Sequence, residues 1–400
     1  MGLPAYGWLM LMHDLGFRPP DSGRGTTPDP IPPVRNPAAM IPAAILSARP
    51  LISFSGMTAR LPLGLASAGT DGLRGRAVTF LLSPTWAIEE IGEAEIRRLA
   101  IAYRAAHPLH RLIFVVNATV NLEALRGVGE AAFFFNKTAT TPEWIFRPLP
   151  QRSSEFDAIY NAQLVPWKRH ELSLAIERCA FLFHRDDSSP HAGIAEDGII
   201  ERHRARSGHV FLNTYQPDGQ PRRFAPAEVN AALNRACVGL CLSEREGAMF
   251  AGTEYLLAGL PVVTTPNTGG RDTYFDPEFC WTVPPDPRAV ADAVNTLKTK
   301  RIPPDHIRAK TLARIGADRQ RFLGFLDGLL DEGGSRRRFS SGPWPLRKPV
   351  TMEWLRASDA VNRAVYGYVD AFEPVASPPL LWRLHRQHLL WRKRLGGDAN

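Results

Sequence analysis

Apolar residues in this chain gather in short runs. Leu51-Ile-Ser-Phe54, Ala77-Val-Thr-Phe-Leu-Leu82, Leu112-Ile-Phe-Val-Val116 and Ala132-Phe-Phe-Phe135 are β-branched or aromatic and scarcely alternate, the pattern of strands buried on both faces. Between the second and third runs, Ile88, Ile91, Ile96, Leu99 and Tyr103 fall on one side of a helical period. Glu89, Glu90, Glu93, Arg97 and Arg98 take the other side. Strand, helix and strand in alternation predict a parallel α/β sheet.

The alternation breaks at Pro142-Glu-Trp-Ile-Phe-Arg-Pro-Leu-Pro150 and then resumes. Strands are predicted at Phe156–Tyr160, His209–Leu212, Val238–Leu242 and Pro261–Thr265, and helices over about 170–183 and 227–237. A further helix is predicted from Asp286, which can cap it, with Pro287 in the first turn and Val290, Val294 and Leu297 on one face. The pattern therefore divides the chain into an α/β domain at 43–150 and a second at 151–332. Ahead of them lies an extension, 1–42, whose prolines 19, 20, 28, 30, 32, 33 and 37 suit a linker rather than a core. After them comes a basic tail, 333–400. Two such domains side by side leave a cleft between the carboxyl ends of their strands, where open parallel sheets bind ligands.

Composition narrows the partner. With 48 Lys and Arg against 40 Asp and Glu, the net charge of +8 favours an anionic partner without choosing among phosphorylated substrates, acidic lipids and nucleic acid. No basic-aromatic nucleic-acid module is present, so nucleic acid is not expected. The N-terminal apolar stretch is short, lacks a basic leader and is broken by Pro4 and Gly7, which makes a poor signal peptide. No run approaches the roughly 18 apolar residues of a membrane span, so membrane contact is expected to be peripheral. Cys179, Cys237, Cys241 and Cys280 lack metal-site spacing and read as reduced core residues of a cytoplasmic protein. In the tail, Leu381, Leu384, His388, Trp391 and Leu395 face one way and Arg383, Arg386, Lys393 and Arg394 the other. Such a helix either packs on the protein or lies on an anionic membrane with Trp382 and Trp391 near the headgroups.

The chemistry concentrates in Leu242-Ser-Glu-Arg-Glu246-Gly-Ala-Met-Phe250-Ala-Gly-Thr-Glu254, followed by Ala258-Gly-Leu-Pro-Val-Val263 and Gly269-Gly270. The run reads as a strand, a Glu-Gly turn, a helix with Gly259 as its C-cap, a strand opened by Pro261, and a Gly-Gly loop. A helix starting directly after the turn offers backbone N–H groups to a diphosphate, and carboxylates suit sugar and ribose hydroxyls. Glu246 and Glu254 can face one ligand from turn and helix.

In these residues the chain resembles the retaining GT-B glycosyltransferases called group 1 or family 4, whose hallmark is Glu-x7-Glu. The resemblance covers roughly residues 142–300. It implies two Rossmann-like domains facing a cleft and transfer of a hexose from a nucleoside diphosphate sugar to a saccharide or lipid-linked acceptor. Retention of configuration, no cofactor and no metal come with it. It implies that Glu246 binds the donor sugar, that the Gly247, Ala248, Met249 and Phe250 backbone approaches sugar and phosphates, and that Glu254 holds the ribose. Asn161-Ala-Gln-Leu-Val-Pro-Trp-Lys168 stands where the family has Gly-Arg-Leu and then Lys. Lys168 thus takes the place of the diphosphate lysine at an expected helix start, and Glu246 and Lys168 are the residues expected to carry catalysis. Gln163 replaces an arginine, which leaves weaker donor binding or compensation by Arg169 or Arg271. A non-catalytic binder of nucleotide sugar or glycan is the alternative.

Three weaker patterns carry no role. Gly127-Val-Gly-Glu-Ala-Ala132 precedes a strand rather than a helix, the wrong context for a dinucleotide. His184 to His191 reads as a solvated loop. His107 and His110 precede a strand without the family's motif.

Overall fold

The computed structural model describes residues 40–57, 61–68, 71–84, 88, 92–184, 192–342, 344–346, 353–356 and 360–361. The first half forms strands β1 (Met40–Ala48), β2 (Leu51–Met57), β3 (Val78–Pro84), β4 (His110–Val116) and β5 (Ala132–Phe134). Helix α1 (Glu93–Ala106) joins β3 to β4, and α2 (Thr119–Gly127) joins β4 to β5. Strands β2 to β5 are parallel, while β1 runs antiparallel to β2. Each predicted strand of this half is present; β2, β3 and β4 are apolar and covered on both faces, while edge strand β5 is half-buried.

The second half contains β6 (Phe156–Asn161), β7 (Cys179–Leu182), α3 (Ala192–Arg204), β8 (His209–Phe211), α4 (Pro226–Leu233), β9 (Ala236–Cys241), β10 (Arg245–Glu246), α5 (Phe250–Leu257), β11 (Val262–Thr264), β12 (Thr268–Gly269) and β13 (Cys280–Thr282). Its main sheet is all parallel in the order β13-β11-β9-β6-β7-β8. From β6 the chain winds outward through β7 to β8, then returns to the other side of β6 for β9. This is the doubly wound strand order, and the reversal lies between β6 and β9. Helix α6 (Pro287–Lys300) starts as predicted: the Asp286 carboxylate accepts from the backbone N–H of Arg288 at 2.9 Å and of Ala289 at 3.0 Å.

Helix α7 (Pro304–Glu332) has no counterpart in the sequence reading. Its apolar face is interrupted by Thr311 and Asp318, both buried; the Thr311 hydroxyl donates to the Ile307 carbonyl and the Asp318 carboxylate accepts from the Tyr274 hydroxyl. Its later turns reach the first sheet, where Phe322 stacks on Phe135 at 4.2 Å and meets Phe54 edge-on at 5.9 Å. One continuous apolar core accordingly joins the inner face of the first sheet to the second half, and a second core lies between the outer face and α1. After α7, β14 (Glu353–Arg356) adds antiparallel to β1.

Four expectations need correction. The segment 170–183 is not a helix: it is one tight turn at His170–Ser173 followed by β7. The helix expected over 227–237 ends at Leu233, and β9 begins at Ala236. The linker does not extend to residue 42, because β1 starts at Met40 and Pro42 pairs with Trp354 of β14. Part of the segment after 332, read as tail, instead supplies β14. The prolines of the linker, the pattern at 381–395 and residues 185–191 lie outside the described residues.

Candidate functional site in the second-sheet crevice

The reversal between β6 and β9 opens a crevice at the carboxyl ends of those strands, because the connections leaving them diverge to opposite sides of the sheet. Two of the contacts across it involve the predicted carboxylates. Lys168, on the loop after β6, forms an ion pair with Oε1 of Glu246, which follows β9; both residues are buried, 8% and 5% exposed. Asn161, the last residue of β6, donates from Nδ2 to Oε2 of Glu254 on α5 at 3.2 Å. The structure thus brings Glu246, Glu254 and Lys168 to one crevice.

Local chemistry explains each position. Lys168 ends a single turn at Pro166–Lys168, and Arg169 follows with φ 51, which stops the turn. No α-helix starts there, so the helix-start rationale for Lys168 is wrong. The Lys168 carbonyl instead accepts from the buried Tyr160 hydroxyl at 2.5 Å, which ties the loop back to β6. Ser243 donates to Oε1 of Glu246 at 2.8 Å, so a hydroxyl and an ammonium hold the same carboxylate oxygen. The Tyr255 hydroxyl accepts from the Asn161 N–H at 2.6 Å and fixes the end of β6 beside Glu254.

Gly247 and Ala248 form the turn into α5, with buried Met249 at the N-cap position and Phe250 as the first helical residue. No side chain caps α5, so its first N–H groups are open to a ligand's oxygens. At the other end, Gly259 follows with φ 76, the left-handed residue expected of a C-cap. Gly269 and Gly270 lie against the Glu246-Gly247 backbone. A Cβ on Gly269 would sit 2.0 Å from the Glu246 carbonyl oxygen, and one on Gly270 2.1 Å from that of Asn117. Only glycine lets the two halves approach this closely.

Burial sets the charge states. Desolvation pushes the Glu254 carboxyl up to about 7, against the pull of the Asn161 hydrogen bond. Near neutrality this group is divided between donor and acceptor forms. Gln163 lies 3.3 Å from Nε2 of His184. Neither arginine offered in its place is uncommitted: Arg169 donates to the Leu242 carbonyl and to Thr265 Oγ1, and the buried Arg271 donates to the carbonyls of Ser243 and Thr265 and to Asp272.

The first half contributes residues that sequence reasoning missed. Asn136, after β5, donates from Nδ2 to the Gly270 carbonyl at 2.7 Å and to Thr273 Oγ1 at 2.9 Å, linking the halves. Lys137 is anchored by its N–H to Asn117 Oδ1 at 3.0 Å, and its crowded ammonium is pushed down to about 8 by desolvation, offset by the nearby Glu246 charge. The usable signal was position: Asn136-Lys137 stands at the carboxyl end of an apolar run, where parallel sheets bind ligands. His107 and His110, by contrast, stack on each other at the opposite end of β4, and Nε2 of His110 is 3.0 Å from the Leu73 carbonyl.

Under the Lys168 loop lie three more imidazoles. His170 is buried against Tyr160, and Nδ1 of His203 donates to Nδ1 of His209 at 2.8 Å, because Nε2 of His209 donates to the Ile176 carbonyl. Desolvation lowers His170 to about 3 and His203 to about 4, and lowers His209 as well. These folded-state values lie below the unfolded value of about 6.5, so stability is complete above it and is lost as pH falls toward the folded values. The unfolding free energy from urea titrations is expected to fall between pH 6.5 and 4.5, with a slope that approaches roughly 1.4 kcal/mol per pH unit from the fully buried His170 alone, His203 and His209 adding in the same direction. A flat profile over that interval contradicts the assignment.

No protein-family profile matches the chain, and no curated protein does. Solved structures do. HepE of Anabaena in complex with UDP is 14% identical over 66% of this chain and 76% of its own, with a TM-score of 0.49. The trehalose 6-phosphate synthase of Burkholderia multivorans is 13% identical over 72% of this chain and 73% of its own, at 0.46. The C-terminal domain of LpcC, a glycosyl transferase group 1 family protein from Francisella tularensis, is 13% identical over 44% of this chain and 97% of its own, at 0.34. At such distances the chemistry of this chain has to be decided by its own site.

Proposed function

We propose that the chain binds a nucleoside diphosphate sugar in the crevice between β6 and β9 and transfers the hexose, with retention, to a saccharide or lipid-linked acceptor. The observation that carries this reading is the pair of contacts across the switch point, Lys168 to Glu246 and Asn161 to Glu254. They set an ammonium and two carboxylates around a helix start with no side-chain cap. In this reading Glu246 accepts from sugar hydroxyls and Glu254 from the ribose. Lys168 and the first N–H groups of α5 neutralise the departing diphosphate, where charge develops in the transition state. Retention and independence of metal rest on the family resemblance.

A second reading, a non-catalytic binder, is favoured by Gln163 and by the commitment of Arg169 and Arg271 to protein oxygens. One assay separates the two. Purified protein incubated with UDP- and GDP-sugars releases nucleoside diphosphate if it is the enzyme; saturable binding of the same donors without release supports the binder.

A further inference from the structure

A cavity of about 990 Å³ lies between the halves on the other side of the β10–β12 ribbon from Glu246. Its walls come from the start of α2 and Phe134 in the first half, from Arg245 and Thr268 on the ribbon, and from Arg314 and Arg321 on α7. Strand alternation keeps it apart from the crevice above, because successive side chains of a strand point to opposite faces. In β10, buried Glu246 turns toward Lys168 and Ser243, while exposed Arg245 turns to the cavity.

The wall chemistry selects a ligand. Arg314 is paired with Asp276 at 2.7 Å, and Arg321 is paired with Asp318. Arg245 has no carboxylate partner among the described residues and is the cation left to meet an incoming oxyanion. Helix α2 begins at this wall over Ala118, which has no capping side chain, so its first N–H groups add positive potential. Asn267, also on the wall, has both amide atoms buried and without hydrogen-bond partners among the described residues. Phe134, Val120 and Ala317 give the remainder an apolar surface, and the threonine hydroxyls offer partners to a hydroxylated body. The volume is at the upper end of that of small-molecule sites.

We infer that this cavity is a second ligand site, one that takes an organic phosphate, with Arg245 and the start of α2 holding the phosphate and the apolar wall holding the body. The inference stands independently of the donor reading, since none of its residues bonds to Lys168 or Glu254.

The test is calorimetric titration of the full chain with glucose 6-phosphate and with glucose at fixed ionic strength, using wild type, Arg245→Gln, Arg245→Glu and Lys168→Met, each first confirmed as folded by its thermal transition. Glucose 6-phosphate is expected to bind wild type at least about tenfold more tightly than glucose, as one charge-assisted contact implies. Arg245→Gln should weaken it at least about tenfold, with Arg245→Glu weaker still, while Lys168→Met stays within about twofold of wild type. Equal affinity for glucose and its phosphate, loss that follows Lys168 rather than Arg245, or no heat up to roughly 10 mM overturns the inference. Failure of the donor reading would appear elsewhere, as absent binding of UDP- and GDP-sugars.

Discussion

Glu246→Gln is expected to reduce release of nucleoside diphosphate from the sugar donor by at least about a hundredfold, the effect of losing roughly 3 kcal/mol of charge-assisted hydrogen bonding in the transition state. The same change removes the partner of buried Lys168. Leaving one member of a buried pair uncompensated costs about 3–5 kcal/mol; Gln can still accept from Ser243 and Lys168, so the lower end applies here. Stability and activity therefore fall together in the single variant, and a second substitution separates them. In Lys168→Met/Glu246→Gln the uncompensated charge is gone, so the urea midpoint should recover most of the loss while release stays abolished. A double variant that regains release would show that Glu246 and Lys168 serve stability alone.

Phe322→Ala is the second large effect, and it tests how the halves are joined. The Phe322 ring is fully buried, stacked on Phe135 and edge-on to Phe54, with Trp344 at 6.1 Å. Truncating an aromatic side chain in such a core costs about 3–5 kcal/mol, from lost burial plus the cavity that neighbours only partly fill. Because Phe322 belongs to α7 and its partners Phe135 and Phe54 to the first sheet, the loss should loosen the seam between the halves as well as the core. Thermal denaturation and amide exchange at Asn136 and Gly270 measure the two effects. A loss below about 1 kcal/mol would mean that α7 does not hold the halves together.

What the sequence made legible follows from how each signal is encoded. Strands covered on both faces announce themselves as continuous apolar runs, so β2, β3, β4, β6 and β9 could be read directly, and with them the α/β class. The start of α6 was legible because Asp286 and Pro287 are local signals with local causes. At 170–183, Leu172, Ile176 and Ala180 recur at helical spacing, but they fall in a turn, a loop and a strand, and four apolar residues in a row at Cys179–Leu182 were the better indication. Helix α7 was hidden because its inward face carries the polar residues Thr311, Asp318 and Asp327; Thr311 bonds within the helix, but the Tyr274 hydroxyl on Asp318 and the Phe339 N–H on Asp327 come from elsewhere in the chain.

The same division holds at the site. Glu246 and Glu254 come from one turn and one helix, so their spacing could suggest a shared ligand. Lys168 was placed by motif, although the helix start assumed for it is a Pro166 turn closed by the positive φ of Arg169. Lys137, Asn136 and Asn117 reach the site from the first sheet, and contacts such as Asn136 to Gly270 are 134 residues apart in the chain. No local pattern encodes a contact of that kind.

The most direct measurement is a crystal structure of the protein with UDP or GDP bound. The diphosphate is expected at the first N–H groups of α5 within hydrogen-bonding distance of Lys168 Nζ, and the ribose hydroxyls on the Glu254 carboxylate. A nucleotide lodged elsewhere, with Lys168 and Glu254 making only protein contacts, would contradict this placement.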